Sequence, residues 1–225
     1  MDFFDVVTST RAIRRYRPDP IPEADLATMF FAASRAPSGS NRQPFRFVVL
    51  RDGPRAVVAR AVLGEGFRSM WSAKRDEDAY DRGSGVDPAS PKGRMAASMQ
   101  HFVDHIEDAP VIVFACVYHW HGGHFTEGAS VYPACQNLLL SARALGYGGV
   151  MTMWHPPVED RLAEIIGLPD AVSIAATIPL GRPVGQHGTV RRRPLAELVF
   201  EDAWDESADW IADPPGTRYT GGPPR

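Results

Sequence analysis

Apolar positions recur along this chain with two periods, and the switches between them mark out its elements. Residues 2–10 carry Phe3, Phe4, Val6 and Val7 and predict a short helix with Asp2 at its positive end. The three prolines of RPDPIP at 17–22 forbid helix and hold that stretch extended. From Pro22 and Glu23 to about Arg35, the residues Leu26, Met29, Phe30 and Ala33 share one helical face. PSGSNRQP at 37–44 predicts a turn, FRFVVL at 45–50 a strand, and residues 56–63 a short helix. Periodicity then dissolves. Residues 64–93 are rich in Gly, Ser, Asp and Arg, with Phe67, Trp71 and Tyr80 embedded, and read as a long loop of the kind that forms a functional lid.

Regularity returns at Arg94, where Met95, Met99, Phe102, Val103 and Ile106 mark an amphipathic helix. VIVFACV at 111–117 is the continuous apolar run expected of a strand covered on both faces. HWHGGHFTEG at 119–128 predicts a loop. Residues 131–145 predict a helix apolar almost all round, hence buried in the core or in a subunit interface. YGGVMTMW at 147–154 reads as a strand after a Gly-rich turn, VEDRLAEIIGLP as a short helix stopped by Gly167 and Pro169, and AVSIAATIPLG as the closing strand. Beyond about Glu201 no period survives. Helices and strands alternate with antiparallel pairing open to them, so the expected fold is α+β, or three-layer α/β.

Composition narrows the classes. A chain of 225 residues with 44% hydrophobic content suits one sizeable packed domain. A net charge of −3 recruits no nucleic acid and no membrane surface, so any anion site must be a local arginine cluster. No apolar run approaches a membrane span, and the N-terminus lacks a signal-peptide pattern, which predicts a cytoplasmic protein. Cys116 and Cys135 sit in apolar stretches and read as buried thiols rather than a disulfide.

Five groups of residues are candidates for chemistry. Arg11, Arg14, Arg15 and Arg17 form one basic cluster, and RRRP at 191–194 forms a second. Guanidinium forks match phosphate oxygens, although either cluster alone also fits a solvated surface. Pro37, Ser38, Gly39 and Asn41 offer hydroxyl, bare backbone and amide groups on one rigid turn, or simply connect a helix to a strand. LGYGGVMTM at 145–153 would let backbone approach a flat ligand closely. His119, His121 and His124 have a spacing open to zinc, but no metal site is expected there. There is no GxGxxG after a strand, no phosphate-binding P-loop and no GxSxG elbow.

These pieces, in this order, resemble the nitroreductase family from about Thr10 to Val199. RAIRRYRPDPIP resembles the family's RRSIRxF-type opening, APSGSNRQPFRFVVLRD its APSxxNxQPWxFVVVxD signature, YPACQNLLLSARALGYGG its buried helix and LGLG turn, and IPLGRPVGQHGTVRRRPLAELV its closing strand and RKPLEE-type end. The resemblance implies a three-layer α/β/α fold with a mostly antiparallel central sheet. It also implies FMN as cofactor and a homodimer with the flavin at the subunit interface. Arg11, Ala12 and Arg14 match positions that hold the flavin phosphate and ribityl chain, with Arg15 beside them. Pro37, Ser38, Gly39 and Asn41 match the turn that reaches across from the partner subunit, and Met151, Thr152 and Met153 the strip under N5 and O4 of the ring. Arg192, with Arg191 beside it, matches the second phosphate arginine. Thr10 stands where the family usually has its first arginine, Ala12 where it often has serine, and Met151 where the dehalogenating branch places a hydroxyl.

The implied chemistry is ping-pong hydride transfer from NADH or NADPH, through FMN, to a small planar acceptor such as a nitroaromatic, quinone or enone. No side chain is expected to be catalytic, because the flavin supplies the reactivity. Residues 1–200 are expected as one FMN-binding domain whose lid is 64–93, and residues 201–225 as an extension wrapping the partner. Rival readings are reductive dehalogenation or flavin modification on the same fold, a non-catalytic FMN-binding protein, and a zinc protein using the histidine loop.

Overall fold

The apolar run at 111–117 becomes strand β2, Val111–Tyr118, of the computed structural model, which describes residues 1–120, 125–186 and 188–220. It pairs antiparallel with β1, Phe45–Leu50, on one side and with β4, Val172–Gly181, on the other. The two-residue β3, Gly148–Gly149, completes the order β1-β2-β4-β3. The period of two then divides the core. Val111, Val113 and Ala115 belong to one apolar cluster, with Leu26, Met29 and Ala33 of α2 (Glu23–Ala33) and Val131, Leu138 and Ala142 of α5 (Gly128–Ala144). Ile112, Phe114 and Cys116 belong to another, with Leu63 and Phe67 of α3 (Pro54–Glu77), Phe102 and Val103 of α4 (Pro91–Asp104) and Leu162 of α6 (Glu159–Ile166). Helices therefore cover both faces of an antiparallel sheet, the expected three-layer α+β arrangement.

The helix ends follow local chemistry. Ser90 caps α4 through Gly93 N–H at 2.8 Å, and Gly167, at φ 69°, closes α6 in the left-handed region.

Three expectations are corrected. Residues 64–93 are not a long loop. Helix α3 runs through Glu77, a short 3-10 turn occupies Gly83–Val86, and α4 begins at Pro91. Ala56, Ala59, Leu63, Phe67 and Trp71 are buried at helical spacing. Its internal glycines mark close packing rather than breaks. A Cβ on Gly64 would lie 1.8 Å from Glu107 Oε1, and one on Gly66 would lie 2.8 Å from Val158 Cγ2. The predicted strand at 147–154 is regular only at Gly148–Gly149, with pairing resumed at the isolated bridge Thr152–Thr177. Helix α5 is not apolar all round either. Val131, Ala134, Cys135, Leu138 and Ala142 are buried on one face, while Tyr132 and Gln136 are exposed.

The chain divides into two units, Arg11–Gln186, which holds the sheet, and a smaller one of Met1–Thr10 with His187–Arg225. In the smaller unit Asp2 caps helix α1, Phe3–Ser9, by accepting from Asp5 N–H at 3.0 Å, and Val190 N–H donates to Thr8 O at 2.9 Å. Trp204 and Trp210 there are 83% and 68% exposed, so the aromatic residues of the tail build little core within the chain.

Candidate functional site

Residues 11–17 lie extended along the sheet edge. Ile13 N–H donates to Gly149 O at 2.9 Å, Arg17 N–H to Arg182 O at 2.8 Å, and Val184 N–H to Arg15 O at 3.0 Å. Tyr16 anchors the segment, its hydroxyl donating to Ile13 O at 2.5 Å with Pro179 O at 3.2 Å, and burial raises the phenol pKa well above its ordinary range. Arg11, Ala12 and Arg15 are left exposed, while Arg14 is half-buried. Arg14 lines a cavity of about 390 Å³ together with Met151, Thr152 and Met153. Arg14 of the first basic cluster and the predicted flavin strip thus share one cavity.

That cavity has a definite chemistry. Arg14 is the one charged side chain lining it among the described residues, and it makes no ion pair or hydrogen bond with any of them. Burial lowers the Arg14 pKa, opposed by Tyr16, which is the mark of a desolvated cation without a partner. Thr152, which also lines the cavity, has its N–H and C=O both spent on Thr177, at 3.0 and 2.8 Å. Strand alternation directs the N–H groups of Met151 and Met153 the other way, and neither has a backbone partner among the described residues. The walls are the thioethers of Met70, Met99, Met151 and Met153 with Phe102 and Trp154. An unpaired cation, two open donors and a polarisable apolar wall suit a flat ring system with acceptor atoms on one edge and an anionic tail.

The strip is held from behind. His155 is buried; its Nε2–H donates to Ile174 O at 2.7 Å, and Nδ1 accepts from Thr177 Oγ1 at 3.3 Å. Burial lowers the His155 pKa, and the neutral tautomer is the one that satisfies both contacts. Two glycines of the 145–149 turn have structural duties. Gly146 sits at φ 84°, and a Cβ on Gly149 would come within 2.6 Å of Pro179 O.

Pro37, Ser38 and Gly39 line a different cavity, of about 740 Å³, with Trp120 and Ser130. Ser40, Asn41 and Gln43 all have positive φ, between 49° and 52°, so three non-glycine residues sit in the left-handed region within one turn. The turn is tied by Gln43 N–H to Ser38 Oγ at 2.9 Å and Gly39 N–H to Ser130 Oγ at 3.2 Å, and Asn41 Oδ1 accepts from Gln43 at 3.1 Å. Within one chain, then, this turn and the Arg14 cavity are separate sites. Arg191 and Arg192 belong to the smaller unit and are exposed, Arg192 donating to Arg191 O at 2.8 Å.

The aromatic residues embedded in residues 64–93 have other work. Phe67 and Trp71 are 0% and 2% exposed, and Tyr80 packs 5.2 Å from Trp71. Lys74 pairs with Asp78 at 2.8 Å and Arg75 with Asp81 at 2.6 Å. Met70, which no periodic argument singles out, is the residue of that stretch that reaches the cavity. His119 is partly buried, whereas His121 and His124 lie outside the described residues. Among the described residues no group of three or more His, Cys, Asp or Glu could hold a metal, and no helix is long and apolar enough to cross a membrane.

Comparison with known proteins gives the family. The model of the Nitroreductase family matches residues 7–182. An NADH dehydrogenase of Thermus thermophilus is 31% identical over 84% of this chain and 91% of its own. A 5,6-dimethylbenzimidazole synthase of Rhodospirillum rubrum is 28% identical over 84% of this chain and 82% of its own. Among solved structures, a nitroreductase-type protein from Desulfovibrio desulfuricans in complex with FMN superposes with a TM-score of 0.62 at 27% identity, covering 89% of this chain and 96% of that one.

Proposed function

The chain belongs to the nitroreductase family, and from that premise we propose that it is an FMN-dependent NAD(P)H oxidoreductase that passes hydride to a small planar acceptor by a ping-pong sequence. The observation that carries this reading is the cavity lined by the unpartnered, half-buried Arg14 together with Met151 and Met153, whose N–H groups have no backbone partner among the described residues. FMN has the complementary parts: a flat ring with acceptor atoms at its edge, a ribityl chain and a terminal phosphate. When bound, it supplies the capacity to take hydride from a reduced nicotinamide and to give it up again.

The chain's own residues hold and orient. Arg14 balances negative charge on the flavin, and Arg11, Arg15, Arg191 and Arg192 are the further cations for its phosphate. The N–H groups of Met151 and Met153 serve ring acceptor atoms, and the thioether wall excludes water. The strained turn with Pro37, Ser38, Gly39 and Asn41, remote from the Arg14 cavity in its own chain, completes the site of a second copy in a homodimer.

Purified protein is expected to show a flavin spectrum, to release FMN rather than FAD on denaturation, and to bleach with NADH or NADPH and recover with a quinone. A colourless protein that takes up no FMN refutes the proposal. A flavin that no nicotinamide bleaches leaves a binding protein instead. Consumption of the flavin, or halide release from a halogenated substrate in preference to quinone reduction, would favour the flavin-modifying or dehalogenating chemistry.

A further inference from the structure

Beyond the Arg14 cavity lies a second one, of about 450 Å³, and Met153 lines both. Its wall carries three side chains in a row. Glu127 Oε2 lies 2.5 Å from His119 Nδ1, and His119 Nε2 lies 2.8 Å from Ser173 Oγ. The imidazole and the carboxylate are only 21% and 22% exposed. Three separate elements converge to build this row: the end of β2, the start of α5 and the start of β4.

A carboxylate–imidazole–hydroxyl row can do one of two things. It can make serine a nucleophile, or it can carry a proton to the hydroxyl and on to a substrate. Acyl transfer also needs a donor pair for the developing oxyanion, usually including the N–H that follows the nucleophile. Here Ile174 N–H is already donated to Glu159 Oε1 at 2.9 Å. Ser173 also lies in regular strand register opposite Val117, not on a strained elbow. Among the described residues the N–H that a hydrolase would use beside Ser173 is therefore spent, while the carboxylate, imidazole and hydroxyl of a proton path are all in place.

We propose that Glu127, His119 and Ser173 form a proton relay into an acceptor pocket beside the flavin strip, and that its substrate is a quinone or enone whose reduction leaves an anionic oxygen. This rests on the oxidoreductase reading above. Bound FMN, once reduced, would supply the hydride with its electron pair. The acceptor oxygen then gains a proton as the Ser173 Oγ–H bond breaks. Oγ recovers a proton from His119 Nε2, while the ring keeps its Nδ1–H donated to Glu127. Water returns the proton to Nε2. Each turnover consumes one hydride and one proton, and no protein group changes its net state. Ser173 is the group that touches the acceptor; His119 and Glu127 act through it.

Two measurements test the relay. In the flavin-free protein, the His119 Nδ1–H held by Glu127 gives a far-downfield proton resonance that disappears in Glu127→Gln and survives in Ser173→Ala. In the FMN-loaded protein reduced beforehand, Ser173→Ala slows reoxidation by a quinone roughly 10²-fold, the scale of general acid catalysis, and abolishes its solvent deuterium isotope effect. Ser173→Thr, which keeps the hydroxyl, restores both. Equal reoxidation rates in wild type and Ser173→Ala, or loss of rate in Ser173→Thr as severe as in Ser173→Ala, overturn the relay. Hydrolysis of an activated acyl ester that depends on Ser173 overturns it in favour of a nucleophile. Failure to bind FMN, or to bleach with any nicotinamide, sinks the oxidoreductase reading instead, and the resonance of the flavin-free protein is scored apart from it.

Discussion

Replacing Arg14 with methionine should move flavin affinity and folding stability in opposite directions. In the flavin-free protein the guanidinium is half-buried, has no partner among the described residues and carries a pKa lowered by desolvation. Such a charge costs folding free energy, and methionine fills much of the same volume without that cost. With FMN present, the same guanidinium gains a charge-assisted contact, and deleting it loses about 1.5–3 kcal/mol. That corresponds to a roughly 10- to 150-fold rise in Kd. Titration of flavin fluorescence against apo protein measures the affinity, and urea unfolding of the apo protein measures the stability. Arg14→Met is expected to unfold at the same or higher urea concentration while binding FMN more weakly. Arg14→Lys keeps the charge without the fork and should fall between. An unchanged Kd in Arg14→Met would show that the cation faces something other than the flavin. A large loss of apo stability would show that Arg14 has a structural partner and is not poised for a ligand.

Phe67→Ala removes a fully buried ring that meets Phe102 and Trp154 edge-on at 5.6 and 5.7 Å, and should lower stability in denaturant by about 3–5 kcal/mol; a loss under about 1 kcal/mol would restore the lid reading of that stretch. Burial pushes the Cys116 and Cys135 thiols up to about 12, so neither should react with a thiol reagent at neutral pH until the protein is unfolded, and rapid labelling of the native protein would contradict this. Burial holds the His155 pKa below its ordinary value, so the unfolded chain takes a proton near pH 6.5 that the folded protein resists. Stability should be full above that pH and fall as the pH drops below it, and His155→Gln should flatten the slope of urea midpoint against pH; an equal slope in both proteins refutes the assignment.

The elements whose side chains alternate or recur on one face were legible in the sequence. Strand β2 is apolar at every position from Val111 to Val117, and only a strand with helices on both sides makes use of that. The helix α3 was not legible, because glycine has two meanings. In isolation Gly64 and Gly66 weaken a helix by about 1 kcal/mol each relative to alanine. In the fold they stand where Glu107 and Val158 pass too close for a Cβ. What lies opposite a glycine is a long-range fact, and no window around residues 64–66 contains it. The same holds for the apolar aromatics that follow: Phe67 and Trp71 look like exposed stacking groups only if the helix beneath them is missed.

The site divides along the same line. Arg14 and the 151–153 strip were singled out by a family pattern, and the structure adds that they line one cavity, where among the described residues the cation is unpaired and the N–H groups of Met151 and Met153 have no backbone partner. Residues that join the site through packing left no local trace. Met70 reaches the cavity from α3 and Met99 from α4, and nothing in their neighbourhoods separates them from core methionines such as Met29. His119 illustrates the sharper case. Read along the chain, its neighbours were His121 and His124, a spacing open to zinc although no metal site was expected. In the fold its two nitrogens face Glu127 and Ser173, the latter 54 positions away. A histidine takes its chemistry from the groups at its two nitrogens. One of those groups comes from a different strand, so the sequence could supply the imidazole but not its role.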